Sequence, residues 1–329
     1  MDTLTAAVAS ILRPQITGPV LVRGDATMTA ETSGFNALTV HDPDVAVGVA
    51  SEADVVAAVQ FAVQHQLPVS IQSTGHGAYT SVSGGMLLLT KRLDTLVIDP
   101  GSRTATIGAG LTWAPVIAAA AKHGLMPLTG SAPEVGAVGF TLGGGLGPLS
   151  RSFGIAADRV RSFRVVTADG HAVIADATEN PELFWALRGG KGGLGVVTEM
   201  QVELIALEAV YGGGLFFGAD DIETVLRAWV DWTGSAPDSV TSSVAVLRVP
   251  DIEEMPPPLR GKTVLHLRYA YVGEPGQSAA DRAAEGERLL APLRAAAPVY
   301  LDLIGELPAS AVGQIHNDPD QPMPVWDRG

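Results

Sequence analysis

The sequence contains no cysteine, which excludes disulfide bonds, thiolate catalysis and cysteine-ligated zinc. Its seven histidines lack the close H-x-x-x-H pairing of metal-binding helices, so we expect no bound metal. No run of about 18 apolar residues is present, which argues against a membrane span. The N-terminal segment carries Asp2 where a secretory signal peptide has basic residues. We therefore expect a cytoplasmic protein.

Basic residues are also few. The sequence has 21 Lys and Arg against 35 Asp and Glu, a net charge of −14, which disfavours nucleic acid and anionic membranes as partners. A bound phosphate is still compatible with this charge, because main-chain N–H groups alone can hold one. Glycine is abundant, with 38 residues, and its clustering indicates a main chain that approaches a ligand closely.

Hydrophobic periodicity and turn residues predict an α+β chain. Helices are predicted over residues 52–64, 113–123, 181–187, 220–233 and 279–297, the first three with Ser51, Thr112 and Asn180 at the cap. Strands are predicted over residues 68–72, 86–90, 96–98, 104–108, 160–167, 171–175, 196–204, 239–249 and 263–272.

The length of 329 residues and the hydrophobic content of 47% indicate a large core and two domains. We place these domains at residues 1–207 and 208–329, where the composition changes. Glycines 212–214 are interpreted as a hinge or a bulge, and the tail over residues 318–324 has no regular period.

Residues 190–195 have the G-x-G-x-x-G spacing of a dinucleotide-binding fingerprint. That fingerprint has to close a strand and open a helix, so that a pyrophosphate meets the helix N-terminus. Here the predicted order is a helix before the glycines and a strand after them. We therefore reject a nicotinamide-dependent dehydrogenase, which would need a strand before Gly190 and a helix after Gly195.

Two other glycine clusters have features of ligand-binding loops. Residues 72–77, Gln-Ser-Thr-Gly-His-Gly, follow a predicted strand, and their small side chains allow an anion-binding nest around His76. A polar turn with an exposed histidine is the alternative. Residues 130–147 are apolar and glycine-rich, which indicates either a flat ligand against bare main chain or a glycine-rich crossing of the core. We call residues 72–77, 130–147 and 190–195 the first, second and third loops.

Seven motifs share one order with a known group of enzymes. They are Ser-Thr-Gly-His at 73–76, Gly-Ala-Gly-Leu-Thr-Trp at 108–113, Gly-Phe-Thr-Leu-Gly-Gly-Gly-Leu-Gly at 139–147, Ala-Asp at 157–158, Val-Val-Thr-Ala-Asp-Gly at 165–170, Leu-Phe-Trp-Ala-Leu-Arg-Gly-Gly at 183–190 and Gly-Val-Val-Thr at 195–198. In this order the chain resembles the FAD-linked oxidases of the p-cresol methylhydroxylase and vanillyl-alcohol oxidase superfamily, above all the berberine-bridge-enzyme-like branch. The resemblance implies a two-subdomain PCMH-type FAD-binding domain, with its core over about residues 40–207. An incomplete antiparallel-sheet substrate domain with helices on one face should follow.

The resemblance implies that FAD is the cofactor and that all three loops bind it. The implied contacts are Gln72, Ser73, Thr74, Gly75, His76, Gly77 and Tyr79 in or after the first loop, Gly130, Ser131, Ala132, Val135, Gly136, Gly139, Phe140, Gly143, Gly144 and Gly147 in the second, and Gly193, Gly195 and Val197 in or after the third.

The resemblance also implies a covalent bond between His76 and the 8α-methyl group of the flavin. Many relatives form a second link through a cysteine, whose position is occupied by Ala132 here. Gln72, Thr74 and the pair Gly193-Leu194 replace the usual Arg, Gly and Asn-Phe of the family. Since these replacements stay small or uncharged, we expect the cofactor to fit.

The implied activity is that of an oxidase, in which a small alcohol, sugar or phenolic, polyketide-like substrate gives a hydride to flavin N5 and oxygen reoxidises the flavin. Relatives continue beyond the length of this sequence and carry a C-terminal Asn-Tyr segment with catalytic groups. We therefore name no catalytic base, and a flavin-binding short form or fragment without turnover is the alternative. Tyr79, Tyr269, Tyr271 and His266 are candidates by residue type alone, and we interpret each as structural.

Overall fold

The computed structural model describes residues 3–253 and 255–325, so Asp2 and the predicted domain limits at residues 1 and 329 lie outside the described residues. The α-helices are α1 (Thr3–Ala7), α2 (Met28–Thr32), α3 (Glu52–Gln64), α4 (Trp113–Ala121), α5 (Ala137–Leu142), α6 (Ser150–Phe153), α7 (Pro181–Leu187), α8 (Ile222–Thr233) and α9 (Ala279–Arg294). The strands are β1 (Val20–Val22), β2 (Val45–Gly48), β3 (Val69–Gln72), β4 (Met86–Leu89), β5 (Leu96–Asp99), β6 (Thr104–Gly108), β7 (Leu125–Met126), β8 (Val160–Val166), β9 (Ala172–Asp176), β10 (Val196–Glu203), β11 (Ile205–Ala206), β12 (Ala209–Gly218), β13 (Val240–Arg248), β14 (Thr263–Tyr271), β15 (Val299–Asp302) and β16 (Gly305–Pro308). Within the described residues, no helix is both long and apolar enough to cross a membrane.

The first sheet has the strand order β1-β2-β4-β3 and contains the parallel pairs of the fold. Strands β2 and β3 both run parallel to β4, and β1 pairs antiparallel with β2. Strands β2 and β4 are buried along their whole length, as expected for parallel strands that are covered on both faces. Since β3 ends at Gln72, the first loop begins at the carboxyl end of this sheet.

Helix α3 confirms Ser51 as its N-cap and one of the two hydrogen bonds of the predicted capping box, whereas the second bond goes to the residue before the cap. The Ser51 side chain accepts a hydrogen bond from the N–H of Asp54, and the Asp54 carboxylate accepts one from the N–H of Ala50. The other two predicted N-cap residues, Thr112 of α4 and Asn180 of α7, are confirmed in position, but without a capping hydrogen bond among the described residues. The Asn180 amide donates to the carbonyl of Ile174 instead.

The second sheet is antiparallel, with the order β5-β6-β10-β8-β9. The predicted hairpin is confirmed by the pairing of β8 with β9. Helix α7 precedes the third loop and strand β10 follows it. This helix–loop–strand order confirms that the loop is not a dinucleotide-binding fingerprint.

The third sheet is also antiparallel and has the order β13-β14-β12-β15, with β16 paired to the other end of the same edge of β12. Helices α8 and α9 cover one face, where a separate core contains Leu215, Val225, Leu267, Tyr269 and Leu290. This arrangement confirms the predicted antiparallel sheet with helices on one face. The opposite face contributes Val210 and Ala270 to the large first core. The short 3-10 helix Ala309–Ile315 contributes to the same core.

Glycines 212–214 lie in the middle of β12, so their interpretation as a hinge or bulge is wrong. They pair without interruption with residues 268–270 of β14. Gly213 has a φ of +146°, and a methyl group there would collide with the carbonyl of Leu303. A methyl group on Gly214 would collide with the ring of His266. Glycine is therefore required by the close approach of neighbouring chain rather than by a turn.

Candidate functional site

The first loop leaves the parallel sheet and turns at Gly75, whose φ of +76° lies in the left-handed region. A methyl group on Gly136 of the second loop would lie 3.2 Å from the Ser73 hydroxyl oxygen, so the first two loops are in contact. Within residues 3–253 and 255–325, the N–H groups of residues 74–77 donate no hydrogen bond to the protein. They are therefore free to bind an anion, as a nest requires.

His76 is held in place on two sides. Its ring stacks on Phe35, with 3.8 Å between the ring centroids and an interplanar angle of 14°. Its Nδ1 lies 2.9 Å from the Thr74 hydroxyl oxygen. Burial lowers the pKa of His76 below its ordinary value, since desolvation disfavours the charged ring. When Nδ1 donates to Thr74, Nε2 carries the free lone pair, and this atom is buried without a partner among the described residues.

The second loop contains both tightly packed and open glycines. The Phe140 ring packs edge-on against Trp113 at 6.1 Å, and methyl groups on Gly130 and Gly145 would lie 2.9 and 2.8 Å from it. These glycines serve core packing. Gly139, in contrast, has no atom within 4 Å of the position that a methyl group would occupy, so bare main chain is open there.

The third loop contacts the other two loops through Lys191. The N–H of Lys191 donates to the carbonyl of Leu142 at 3.0 Å. Its Nζ lies 3.9 Å from the position of a methyl group on Gly77, and its Cδ lies 3.9 Å from that on Gly143. One side chain thus spans the first and second loops. Lys191 has a φ of +62°, a conformation that costs a non-glycine residue energy and is often retained for function.

Two other predicted contacts, Gln72 and Val135, already make hydrogen bonds within the protein. The Gln72 side chain is bonded to His41 Nε2 and to the carbonyl of Thr32, both at 2.8 Å. The carbonyl of Val135 accepts from the N–H of Trp113. Tyr79 is exposed.

The remaining predicted contacts of the second and third loops have varied surroundings. Ser131 donates to the Asp318 carboxylate. Gly147 packs against the carbonyl of Thr129, and Gly195 packs against that of Val166. Gly193 has open space around it. Val197 is buried.

Tyr269 and Tyr271, two of the candidates by residue type, lie in the second core. The Tyr269 hydroxyl donates to the carbonyl of Gly286 at 2.9 Å, and the Tyr271 hydroxyl lies 3.3 Å from the Gln277 side-chain oxygen. Burial raises the pKa of both. His266 is buried on the opposite face of β14 and stacks on Phe216.

Sequence reasoning missed Phe35 and the neighbouring Gly34, which support the first loop from about forty residues away. No motif marks this segment. Lys191 was also missed, although a lysine inside a run of glycines was a visible signal. The combined features suit an elongated ligand with a diphosphate and a flat ring: unbonded N–H groups, bare glycine surfaces, one lysine, and a buried imidazole nitrogen without a partner.

Comparisons with known proteins agree with this geometry. An FAD binding domain family matches residues 43–176. The chain is 31% identical over 240 residues to (R)-6-hydroxynicotine oxidase of Paenarthrobacter nicotinovorans, a match that covers 69% of this chain and 52% of that protein. It is 33% identical over 217 residues to the FAD-linked oxidoreductase pgmH of Aspergillus terreus, covering 64% and 44%. The chain therefore contains an FAD-binding domain.

Solved structures extend the similarity beyond that domain. The crystal structure of 6-hydroxy-D-nicotine oxidase from Arthrobacter nicotinovorans matches with a TM-score of 0.81 at 25% identity, covering 93% of this chain and 66% of that one. BBE-like 1 of Physcomitrella patens shares the fold, with a TM-score of 0.78 at 21% identity, covering 97% and 68%. Along most of its length the chain is similar to FAD-linked oxidoreductases and oxidases, and this similarity agrees with the resemblance described from its sequence motifs. It spans about half the length of the curated relatives that it matches.

Proposed function

We propose that this chain is an FAD-dependent oxidoreductase of the oxidase type, acting on a small alcohol, sugar or phenolic substrate. The observation that carries the proposal is that the three glycine loops contact one another beside His76. Gly136 lies against Ser73, and the Lys191 side chain lies against Gly77 and Gly143. When bound, FAD would supply the electron acceptor, taking a hydride from the substrate and passing electrons to oxygen. The protein supplies binding, orientation and protection from water.

Each loop has a proposed role in binding. The N–H groups of residues 74–77 would bind the diphosphate, and the Lys191 ammonium group beside them would add a charge-assisted contact. The open main chain at Gly139 would lie against the flat ring. The N–H groups of residues 74–77 and the Lys191 ammonium group make no other hydrogen bond among the described residues.

His76 is proposed as the point of covalent attachment. Its imidazole is neutral at physiological pH because burial lowers its pKa, and a neutral imidazole is the nucleophilic form. Stacking on Phe35 and the Thr74 contact fix the ring. Because Ala132 offers no thiol, His76 would form a single link.

The test starts with the spectrum of protein purified and incubated with FAD, followed by denaturing precipitation. We expect a yellow pellet from the wild-type protein and a colourless pellet from His76→Ala. His65→Ala is the matched control, because His65 also packs on a phenylalanine, Phe61, at 4.2 Å but lies outside the three loops. Protein that stays colourless after incubation with FAD would contradict the proposal. A yellow pellet from His76→Ala would reject the attachment point alone.

A flavin-binding protein without turnover is the second candidate. It is favoured by the placement of Tyr269 and Tyr271 in the second core, where their hydroxyl groups contact protein acceptors. Anaerobic mixing with alcohols, sugars and aldehydes separates the two candidates. Bleaching of the flavin by a substrate supports the oxidoreductase, whereas bleaching by dithionite alone supports the second candidate.

A further inference from the structure

A cavity of about 300 Å³ lies between the second loop and the third sheet. Its sheet side is polar, because Ser243 of β13 is paired with Arg268 of β14 and both line it. Its other side is apolar, with Leu146, Pro148 and Ile315. The cavity can therefore hold a molecule with a polar end towards the sheet and an apolar body towards the loop.

Arg268 is the unusual residue of this cavity. It is half-buried, and within the described residues its guanidinium group makes no ion pair or hydrogen bond. Its Nε is fully buried without an acceptor. Desolvation lowers the pKa of Arg268, yet an arginine stays charged in proteins. A buried charge without a partner is costly, and a bound anion would remove that cost.

The other charged residues around the cavity do not neutralise Arg268. Arg151 is already paired with Asp238 at 2.9 Å. His266 and His316 are held neutral, since burial and the neighbouring Arg268 lower the pKa of each to about 4. The Asp318 carboxylate receives a hydrogen bond from Ser131 and raises the pKa of Arg268 from a distance, without forming an ion pair. Among the described residues that line the cavity, Arg268 is therefore the cation without an ion pair.

His316 supplies hydrogen-bonding capacity next to this charge. Nδ1 of His316 is buried without a partner among the described residues, and His316 lines the cavity. A neutral imidazole can donate one hydrogen bond to an anion held by Arg268.

We infer that this cavity binds a small monocarboxylate, with Arg268 holding the carboxylate and the apolar wall holding the rest of the molecule. A planar guanidinium matches a carboxylate in a two-point contact. Asp318 and the net charge of −14 disfavour a dianion. The inference rests on the proposed function in one respect: because Ser131 and Gly147 of the second loop line the cavity, the ligand would be the substrate of that site, an alcohol or phenol that also carries one carboxylate.

The experiment is calorimetric titration with benzoate and with benzamide at constant ionic strength, on protein with and without FAD. The two probes share one shape and differ in charge. We expect benzoate to bind at least about tenfold more tightly than benzamide, because a charged hydrogen-bonded pair is lost with the amide. Arg268→Met should remove this preference, and Arg227→Met, which breaks the exposed pair with Glu223 on α8, should keep it.

Two further variants keep the test decisive if Arg268→Met fails to fold. Arg268→Lys should keep the charge but reduce the preference, since a point charge replaces the planar fork. Asp318→Asn should tighten benzoate binding by roughly twofold to fivefold, because a repelling carboxylate is removed.

Equal affinities for the two probes in the wild type overturn the inference, as does tighter binding of inorganic phosphate than of benzoate. Flavin content separates the two proposals: a benzoate preference in protein that cannot bind FAD rejects the proposed function, whereas yellow protein without the preference rejects the carboxylate site alone.

Discussion

Gly34 and Gly75 pack main chain against main chain. A methyl group on Gly75 would lie 2.7 Å from the Cα of Gly34, and one on Gly34 would lie 2.9 Å from the Cα of Gly75. The N–H of Phe35 donates to the carbonyl of Thr74 at 2.8 Å, and the Phe35 ring stacks on His76. The segment around residue 34 therefore sets the position of the first loop.

Gly75→Ala should displace the first loop. The alanine would combine left-handed strain with a clash against Gly34, and we expect a loss of about 1–3 kcal/mol in unfolding free energy. FAD affinity should fall by about tenfold or more, because the N–H groups no longer point together. Denaturant unfolding and a flavin fluorescence titration measure these effects. Gly24→Ala is the control, since Gly24 has a φ of +92° but open space around it. Unchanged FAD affinity in Gly75→Ala would count against the first loop as the diphosphate site.

Lys191→Gly should have opposite effects on stability and binding. Removing a non-glycine residue from a φ of +62° should stabilise the protein by about 0.5–1 kcal/mol. FAD affinity, measured in the His76→Ala background so that the cofactor exchanges, should fall by about tenfold, and the loss should shrink at high salt.

Arg103→Gly is the control for Lys191→Gly. Arg103 has a φ of +53° and lies outside the three loops, so the variant should gain stability and keep its FAD affinity. If both variants bind FAD like the wild type, Lys191 has no part in binding.

Acid should destabilise the fold through His266. Its folded-state pKa of about 4 lies below the ordinary 6.5, so the unfolded chain binds more protons between these values. The stability from this residue is full above pH 6.5 and is lost as pH falls towards 4. Between pH 7 and pH 5 the loss should be about 2 kcal/mol.

His266→Leu tests this pH dependence. Denaturant unfolding at the two pH values should show a smaller loss in the variant than in the wild type. Adding His316→Leu should flatten the dependence further, because the pKa of His316 is also lowered to about 4. Equal losses in all three proteins would exclude these histidines as the cause.

Gly213→Ala should be strongly destabilising, although glycine is a poor strand residue. The φ of +146° and the collision with Leu303 together should cost about 2–4 kcal/mol, measured by chemical denaturation. Gly305→Ala on the neighbouring β16 is the matched control, since no atom lies within 4 Å of its added methyl group. We expect it to change stability by no more than about 0.5 kcal/mol. Similar costs for both variants would mean that the strand tolerates a side chain at residue 213.

Local signals predicted much of the fold. The N-cap at Ser51, the β8–β9 hairpin and the limits of β6 all follow from a few consecutive residues. Strand β12 was not predicted, because Tyr-Gly-Gly-Gly does not alternate apolar and polar residues. Its glycines are required by contacts with segments distant in the sequence. The parallel pairing of β2 and β3 with β4 is equally non-local.

The same division applies to the candidate site. The residues of the first loop carry their own nest pattern, and His76 was visible within it. Its support by Gly34 and Phe35 could not be predicted, because a stacking partner on another segment leaves no periodic signal. The domain limits, the individual FAD contacts and the cytoplasmic location stay predictions.

Strand β12 faces both cores along its length. Val210 belongs to the first core, whereas Leu215 and Phe217 belong to the second. Unfolding of either core would disrupt β12, which also contributes to the other core. The described chain should therefore unfold in one cooperative step rather than in two. We therefore expect the two cores to separate only when the described chain unfolds.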